Sequence, residues 1–488
     1  MAGVLVLAVD VGTSATRTAL FTEEACLVPS TLAQRKYTLR TSGDGRAELD
    51  AEELFTAFEE CLEETIEYLR SDEKLRNCPV VAVSTSCFWH SLIGIDHQGR
   101  PKTSVITWAD TRCNSDALEM RRELDERDIH RRTGCMLRSP FWPAKLRWLK
   151  RTQPDLFSSV DRWTSPAEWF QLRFCGNANC SHGIATGTGL YNPTALAWEQ
   201  ELLERCELPE SKLSSLSDEP ERLSRSCAKR YPELEEAKWF SGIGDGAAGN
   251  LGSGATCAGF AAVNVGTSAA LRIVKEGKRA QAPFGLFCYR IDSRRYLTGG
   301  AVSNAGNLFK WCLKELNVTG DPAELESCLA GRSAPDHGLT VLPFWSGERS
   351  LQWRDNVKGM IAGITAHTTA LDLLQAVTEA GYYPLADIAD QVAEREPEKL
   401  KIILSGGITK SPSAVQRLSD VLDRCLYPND EPEASARGAA VFALEKMGFD
   451  VPPFPRCDPI DPRPEVTQRY RKHREKQRAL DKACSEEV

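Results

Sequence analysis

The sequence predicts an α/β protein built as two domains with a ligand cleft between them, and three observations carry that expectation. The pentapeptide Val-Gly-Thr-Ser-Ala occurs twice, in "DVGTSATR" from Asp10 to Arg17 and in "NVGTSAALR" from Asn264 to Arg272, each near the start of one half of the chain. Apolar runs of strand length alternate with amphipathic stretches of helix length throughout. At 488 residues the chain is too long for a single core and suits two domains of roughly 200 to 250 residues.

Both copies of the pentapeptide follow apolar runs, "VLVLAV" and "AAV", and resume as "TAL" and "LRIV". That pattern reads as strand, tight turn, strand. Glycine lets backbone approach a ligand closely, and the hydroxyls and N–H groups after it offer donors of the kind that phosphate oxygens need. Two ordinary hairpins with similar turns would also give this pattern. A duplicated fold holding one nucleotide between its halves accounts for the layout better. The copies differ: the first has a carboxylate at Asp10 and a cation at Arg17, whereas neutral Asn264 stands at the place of the aspartate in the second. Only the first is therefore equipped to manage a metal.

Further along, "DAEELFTAFEECLEETIEYLR" places Leu54, Phe58, Cys61, Leu62, Ile66 and Leu69 on one face of a surface helix, with Asp50 as its cap. "PVVAVSTS", 79 to 86, reads as a buried strand. In "CFWHSLIGIDHQGRPKTSVITWADTR" the turn "DHQGRP" separates two strands and delivers His90, Trp108, Asp110 and Arg112 to neighbouring loops. Such a polar and aromatic set can hydrogen-bond a polyol and cover one of its faces, although surface residues beside a turn would look the same. In the second half "AAVNV", "GLFCYRI", "LTVLPF" and "KIILSGG" read as strands, and helices are expected near 303–316, 370–396, 411–426 and 433–447. Gly406 and Gly407 end a strand before a helix start, which leaves room for a flat or anionic ligand or merely joins two elements. The tail, "RPEVTQRYRKHREKQRALDKACSEEV", is highly charged with sparse apolar positions and reads as a solvated helix or frayed end.

The stretch "GIGDGAAGNLGSGA" contains a formal G-x-G-x-x-G from Gly244 to Gly249. Its context argues against a dinucleotide site, because "EEAKWFS" before it does not read as a buried strand and "TSAAL" after it carries no acid. No Walker A pattern occurs. What remains is Asp245, a lone carboxylate among glycines at the start of an Ala-rich helix. It is either a helix cap or a base with little side-chain bulk around it.

Composition narrows the function classes. A hydrophobic fraction of 42% with 26% charged residues is that of a globular protein, which sets aside disorder and fibres. The net charge of −8 implies no basic face, so nucleic acid is not an expected partner. The N-terminus runs straight into a strand without a leader pattern, and no apolar run reaches membrane length, so the expected location is the cytoplasm. The 17 cysteines are scattered, odd in number and without a C-x-x-C pair, and read as free thiols. Cys175, Cys180 and His182 lack the fourth ligand and the spacing of a zinc site.

Taken together, "DVGTSATR", "TWADTR", "GDGAAGNLGSGA", "NVGTSAAL", "FWSGERSLQW", "KGMIAGITAHTTALDLLQAVTEA", "LSGGITKSPSAVQRLSDVL" and "EASARGAAVFAL" resemble the FGGY carbohydrate kinases, in the family's order, from about residue 4 to about 447. The resemblance implies two ribonuclease-H-like domains of the actin and hexokinase type with ATP in the cleft between them. Domains of 1–246 and 247–450 follow, with a charged extension at 451–488. It also implies that Asp245 is the catalytic base and that Gly12, Thr13, Ser14, Gly266 and Thr267 meet the phosphates. Arg17 would lie near the β- and γ-phosphates, and Asp10 would hold Mg²⁺, through water. Gly406 and Gly407 would border the adenosine pocket, and His90, Trp108, Asp110 and Arg112 would face the sugar. A homodimer is a family-level expectation.

The wording "CFWHSLIGID…GRP…ITWADTR", "LFCYRI…GGAVSNAGNLFKW" and "FWSGER" is most similar to the gluconokinase-like branch, which points to gluconate phosphorylated on its terminal hydroxyl. Arg112 or Lys145 could serve the carboxylate of a sugar acid. A xylulokinase-like or other ketose or polyol kinase is the alternative, and a non-catalytic sugar sensor on the same scaffold is a third reading. The sequence departs from the family pattern at "TEAGYYP", where Pro384 replaces a basic residue, and at "CFWHS".

Overall fold

The computed structural model describes residues 3–486 apart from positions 319, 320, 355, 395, 397 and 398. Its organisation follows from two sheets with one topology. In the N-terminal half, Leu5–Val11 and Ala15–Thr22 form an antiparallel hairpin. Ala33–Lys36 adds antiparallel to its second strand, and Val80–Cys87 lies parallel to its first. In the C-terminal half, Phe260–Val265 and Ala269–Glu276 form the corresponding hairpin. Arg295–Val302 adds antiparallel to its second strand, and Lys401–Ser405 lies parallel to its first. The repeated pentapeptide thus marks equivalent turns in equivalent sheets.

The alternation seen in the sequence is satisfied by burial. The first strand of each sheet lies at the centre of its layer, and Leu5, Leu7 and Val9 of one, like Ala261 and Val263 of the other, join the cores. Helix Ala51–Ser71 begins at Asp50, whose carboxylate accepts the N–H groups of Glu52 and Glu53 at 3.0 Å each. It buries Leu54, Phe58, Cys61, Leu62, Ile66 and Leu69, as its spacing predicts. Each such side chain contributes about 1.5–3 kcal/mol when taken fully out of water.

Four expectations are corrected. Two short strands, Lys238–Trp239 and Ile243–Gly244, do lead into Asp245, both parallel to Val80–Cys87. At two residues each they are too short to show a period in sequence. The helix expected over 370–396 is two helices, Ala370–Ala380 and Tyr383–Ala393, of which position 395 lies outside the described residues. Pro384, with no N–H to donate, stands in the first turn of the second helix, where that loss costs nothing. The strand Arg295–Val302 and the helix Pro322–Ala330 are additional.

The tail is a docked helix, Pro464–Glu486, and not a solvated one. Tyr470 is fully buried in the core of the C-terminal half. Gln477 donates to the carbonyl of Val341 at 2.8 Å, and Arg474 meets Asp390 at 2.8 Å. Arg354 meets Asp481 at 2.8 Å. A few anchors in a charged sequence do the work that an apolar stripe would otherwise do. Among the described residues no helix is long and apolar enough to cross a membrane.

The halves are joined through helix Ala434–Lys446. It packs on Val80–Cys87 and Leu5–Val11 of the first sheet and on helix Asp245–Gly252. The two helices touch backbone to backbone: a Cβ at Gly438 would lie 1.8 Å from the Ala248 carbonyl oxygen, and one at Gly252 would lie 1.7 Å from that of Ala434. Arg437 straps the contact, donating to the carbonyls of Ala25 and Gly252 at 3.1 and 2.6 Å. Because backbone on both sides resists displacement, Gly438→Ala is expected to lower stability by about 3 kcal/mol, read by denaturant unfolding. An unchanged midpoint would mean that the crossing can relax.

Candidate active site

Asp245 is the first residue of helix Asp245–Gly252, and Gly244 holds the cap position. Its carboxylate does not cap the helix end in the usual way; it accepts only the N–H of its neighbour Gly246, at 2.7 Å. The side chain reaches solvent although protein surrounds it on most sides, the situation of a group on a cleft floor. Desolvation raises its pKa above the ordinary aspartate value, opposed by Arg272, the Gly246 N–H and Arg349. The exposure of the side chain moderates that rise, because solvent stabilises the charged form.

The glycines around Asp245 serve packing. A Cβ at Gly244 would fall 1.7 Å from the Trp89 ring, and one at Gly187 would fall 2.3 Å from it. One at Gly246 would fall 2.7 Å from both Trp89 and the Arg272 Nε. The Trp89 indole, donating to the Gly183 carbonyl at 2.8 Å, therefore fills the space that the sequence left empty and fixes the loop beneath Asp245.

Asp10 is buried at the end of the first hairpin strand, in register with Arg17 and Ser86. It pairs with Arg17 at 3.4 Å. Burial raises its pKa, opposed by the Ser86 hydroxyl and Arg17 and reinforced by the negative charge of Asp245. Arg17 also reaches Glu433, 3.6 Å away at the head of the Ala434–Lys446 helix, and so spans the two halves. Asn264 occupies the equivalent place in the second sheet and donates to Ser405 at 3.0 Å. Ser405 is thus the counterpart of Ser86, and Ala270 stands opposite Asn264 where Arg17 stands opposite Asp10.

Both hairpin turns are open to solvent. Gly12 and Thr13 are half-buried and Ser14 is exposed; Gly266 is half-buried and Thr267 exposed. The Thr13 hydroxyl accepts the indole N–H of Trp108 at 3.1 Å. The carbonyls of Gly266 and Thr267 accept from Gly306 and Asn307 at the start of helix Gly306–Glu315. Gly406 adopts φ +97°, and a Cβ there would lie 2.4 Å from the Val265 carbonyl oxygen, so it is pressed against the second hairpin. Gly407 has open space beside it.

The residues expected at the sugar divide. Trp108 is 37% exposed and available. His90 has a left-handed backbone, φ +68°, uncommon for a residue with a side chain. Its ring bonds the Gly187 carbonyl and packs edge-on against Phe141 and Tyr289. Burial lowers its pKa to about 3. Asp110 is 1% exposed and accepts the Ala47 N–H at 2.9 Å, and both its oxygens meet Arg112. Arg112 also pairs with Glu48 and stacks 4.4 Å over Trp148. These two side chains are committed to one another, which braces the loop carrying Trp108.

Lys145 is fully buried and donates to the carbonyls of His90 and Thr107 at 2.7 and 2.8 Å, so it pins the same loops. Neither cation foreseen for a substrate carboxylate is free to take that part. The cations that do face Asp245 are Arg272 and Arg349. Both lie in motifs quoted above, "NVGTSAALR" and "FWSGERSLQW", but nothing in the sequence shows which side of a strand or loop meets the cleft. His182 bonds Tyr191 at 2.8 Å, and among the described residues no three His, Cys, Asp or Glu side chains gather as a metal cluster.

A carboxylate facing two arginines, beside a glycine turn with a second such turn in the other half, suits transfer of an anionic group to an alcohol. Comparison with known proteins decides the family. Residues 5–252 match the N-terminal domain of the FGGY family of carbohydrate kinases, and residues 261–447 match its C-terminal domain. The chain belongs to the FGGY family of carbohydrate kinases. It is similar to gluconokinase of Bacillus subtilis (strain 168), 26% identical over 460 residues, covering 91% of this chain and 87% of that protein. A xylulose kinase of Lactococcus lactis is 25% identical, with coverage of 91% and 88%. The crystal structure of gluconate kinase from Lactobacillus acidophilus superimposes with a TM-score of 0.90 at 25% identity, covering 98% of each chain. The two-domain ATPase fold and the phosphotransferase class are thereby shown.

The downward shift of His90 implies an imidazole that stays neutral well below pH 6.5, and its contribution to stability, complete above that pH, is lost as pH falls toward 3. NMR titration of His90 should show no protonation between pH 8 and 5, and a midpoint near 6.5 would contradict the burial argument.

Proposed function

We propose that this FGGY kinase transfers the terminal phosphoryl group of ATP to the terminal hydroxyl of a sugar acid, with gluconate as the best candidate and 6-phosphogluconate as its product, in the cytoplasm. The observation that carries the reading is Asp245, a carboxylate with no ion-pair partner among the described residues, on the cleft floor next to Asp10 of the first phosphate hairpin. The gluconokinase relative supports the acceptor; the xylulose kinase relative, one percentage point behind it in identity, keeps a ketose acceptor as the second reading.

In the reaction the substrate hydroxyl gives its proton to Asp245 as its oxygen bonds the γ-phosphorus, and the bond from that phosphorus to the bridging oxygen breaks to release ADP. The glycine turns at Gly12–Thr13–Ser14 and Gly266–Thr267 would offer N–H and hydroxyl donors to the phosphates. Gly406 and Gly407 would leave room for the adenosine. Trp108 would cover a face of the sugar, and closure of the two halves would exclude water, the competing acceptor.

Asp10, with the Ser86 hydroxyl beside it, is a hard oxygen donor that fits Mg²⁺ held through water. Bound there, Mg²⁺ would neutralise phosphate charge. Arg17, tied to Asp10 and Glu433, would hold the first hairpin against the second half.

Asp245 must be ionised to act, and its pKa is raised, so kcat/KM should fall as pH drops through a value above the usual aspartate range near 4. Asp245→Asn should bind substrate within a small factor of wild type and turn over about 10² to 10⁴ times more slowly. An ADP-release assay with Mg-ATP against gluconate, xylulose, ribulose, glycerol and erythritol checks both points. Near wild-type turnover by the variant would leave Asp245 without a catalytic role, and ADP release with none of the acceptors would favour a sugar sensor.

A further inference from the structure

We propose that Arg272 and Arg349 form a two-armed clamp for the carboxylate of the acceptor, so that the enzyme selects sugar acids over neutral polyols. The proposal rests on the kinase reading above and gives its substrate class a structural cause.

Arg272 lies on the second strand of the second hairpin, opposite Ala262 and Gly299. Its Nε is buried without a hydrogen-bond partner, 2.7 Å from where a Cβ of Gly246 would stand. The guanidinium therefore runs beside the residue that follows Asp245. Arg349 comes from the loop after Thr340–Leu342. Its guanidinium lies 5.8 Å from the Trp108 ring centre and 5.9 Å from that of Trp353. Among the described residues neither arginine pairs with a carboxylate, whereas Arg17, Arg112 and Arg138 all do. The charge of Arg349 disfavours that of Arg272, and the Asp245 carboxylate favours both.

Two guanidinium groups near Asp245 that make no salt bridge among the described residues leave hydrogen-bonding capacity that a carboxylate can fill. The alternative anion is the transferred phosphoryl group. Position favours the carboxylate: Arg349 lies over Trp108, which the proposed function sets against the sugar, and bears on His90. The Cα of Arg272 stands three residues along the strand from Ala269, where the turn ends, about 10 Å at the usual rise.

The test compares D-gluconate with D-glucitol, its neutral counterpart, as acceptors for the wild type and for Arg272→Gln, Arg349→Gln and Arg349→Lys, alongside calorimetric gluconate binding without nucleotide. The clamp predicts a wild-type kcat/KM preference for gluconate of about 10² or more. Each Gln variant should shrink that ratio by about 10-fold to 10²-fold, mainly through KM for gluconate, with KM for ATP unchanged. Arg349→Lys, keeping charge but losing the fork, should recover part of the ratio and serves if a Gln variant fails to fold. Equal use of both acceptors by the wild type, or equal losses on both in the variants, would overturn the clamp and leave the kinase reading intact. If no acceptor releases ADP, the kinase reading fails. Gluconate binding that the Gln variants lose would then still support the clamp, and no gluconate binding to the wild type would overturn it.

Discussion

The structure depends on one close approach: the helix that starts at Asp245 and the helix from Ala434 to Lys446 meet with no side chain between them at Gly252 and Gly438. One helix follows directly from the first sheet, and the other belongs to the second half yet lies on the first sheet. Their contact therefore fixes Asp245 relative to both hairpins at once. Atoms in backbone contact cannot yield as a flexible side chain would, so the crossing resists sliding of one helix on the other. Arg437 and the Arg17–Glu433 pair cross the same boundary, so the halves are tied by polar contacts as well as by packing.

Charge placement in the cleft follows from what each group is already bonded to. Arg112, Asp110 and Lys145 look in sequence like ligand-binding groups but spend their hydrogen bonds on the protein, bracing the loops that carry His90 and Trp108. Arg272 and Arg349 spend none on a carboxylate and keep company with Asp245, which counteracts the rise that burial imposes on its pKa. The same positive field would favour an anionic acceptor and leave a neutral one without compensation for the desolvated guanidiniums. Specificity and base strength are in that sense coupled, because removing either arginine alters the field at Asp245.

Much of the fold was legible because its signals are local. The Ala51–Ser71 helix shows a period and a cap, and the hairpins show a repeated turn. What was not legible depends on partners remote in sequence. The strands before Asp245 consist of two residues each and exist only because Val80–Cys87 lies beside them. The tail reads as solvated until the pocket for Tyr470 is seen. At the site, Asp10, Asp245 and the hairpin threonines were visible from motif and duplication. The destination of each arginine was not, since an arginine bound to a neighbouring glutamate and one facing an open cleft are spelled alike. The space among the glycines at 244 and 246 was visible too, but not that Trp89 would occupy it.

That one nucleotide engages both halves is most directly tested by hydrogen–deuterium exchange followed by mass spectrometry, with and without Mg-ATP and with no acceptor present. Slowed exchange at residues 12–14 and 266–268 over the same range of nucleotide concentration is the result expected. Protection confined to one of the two turns, with the other exchanging as in the free protein, would contradict it.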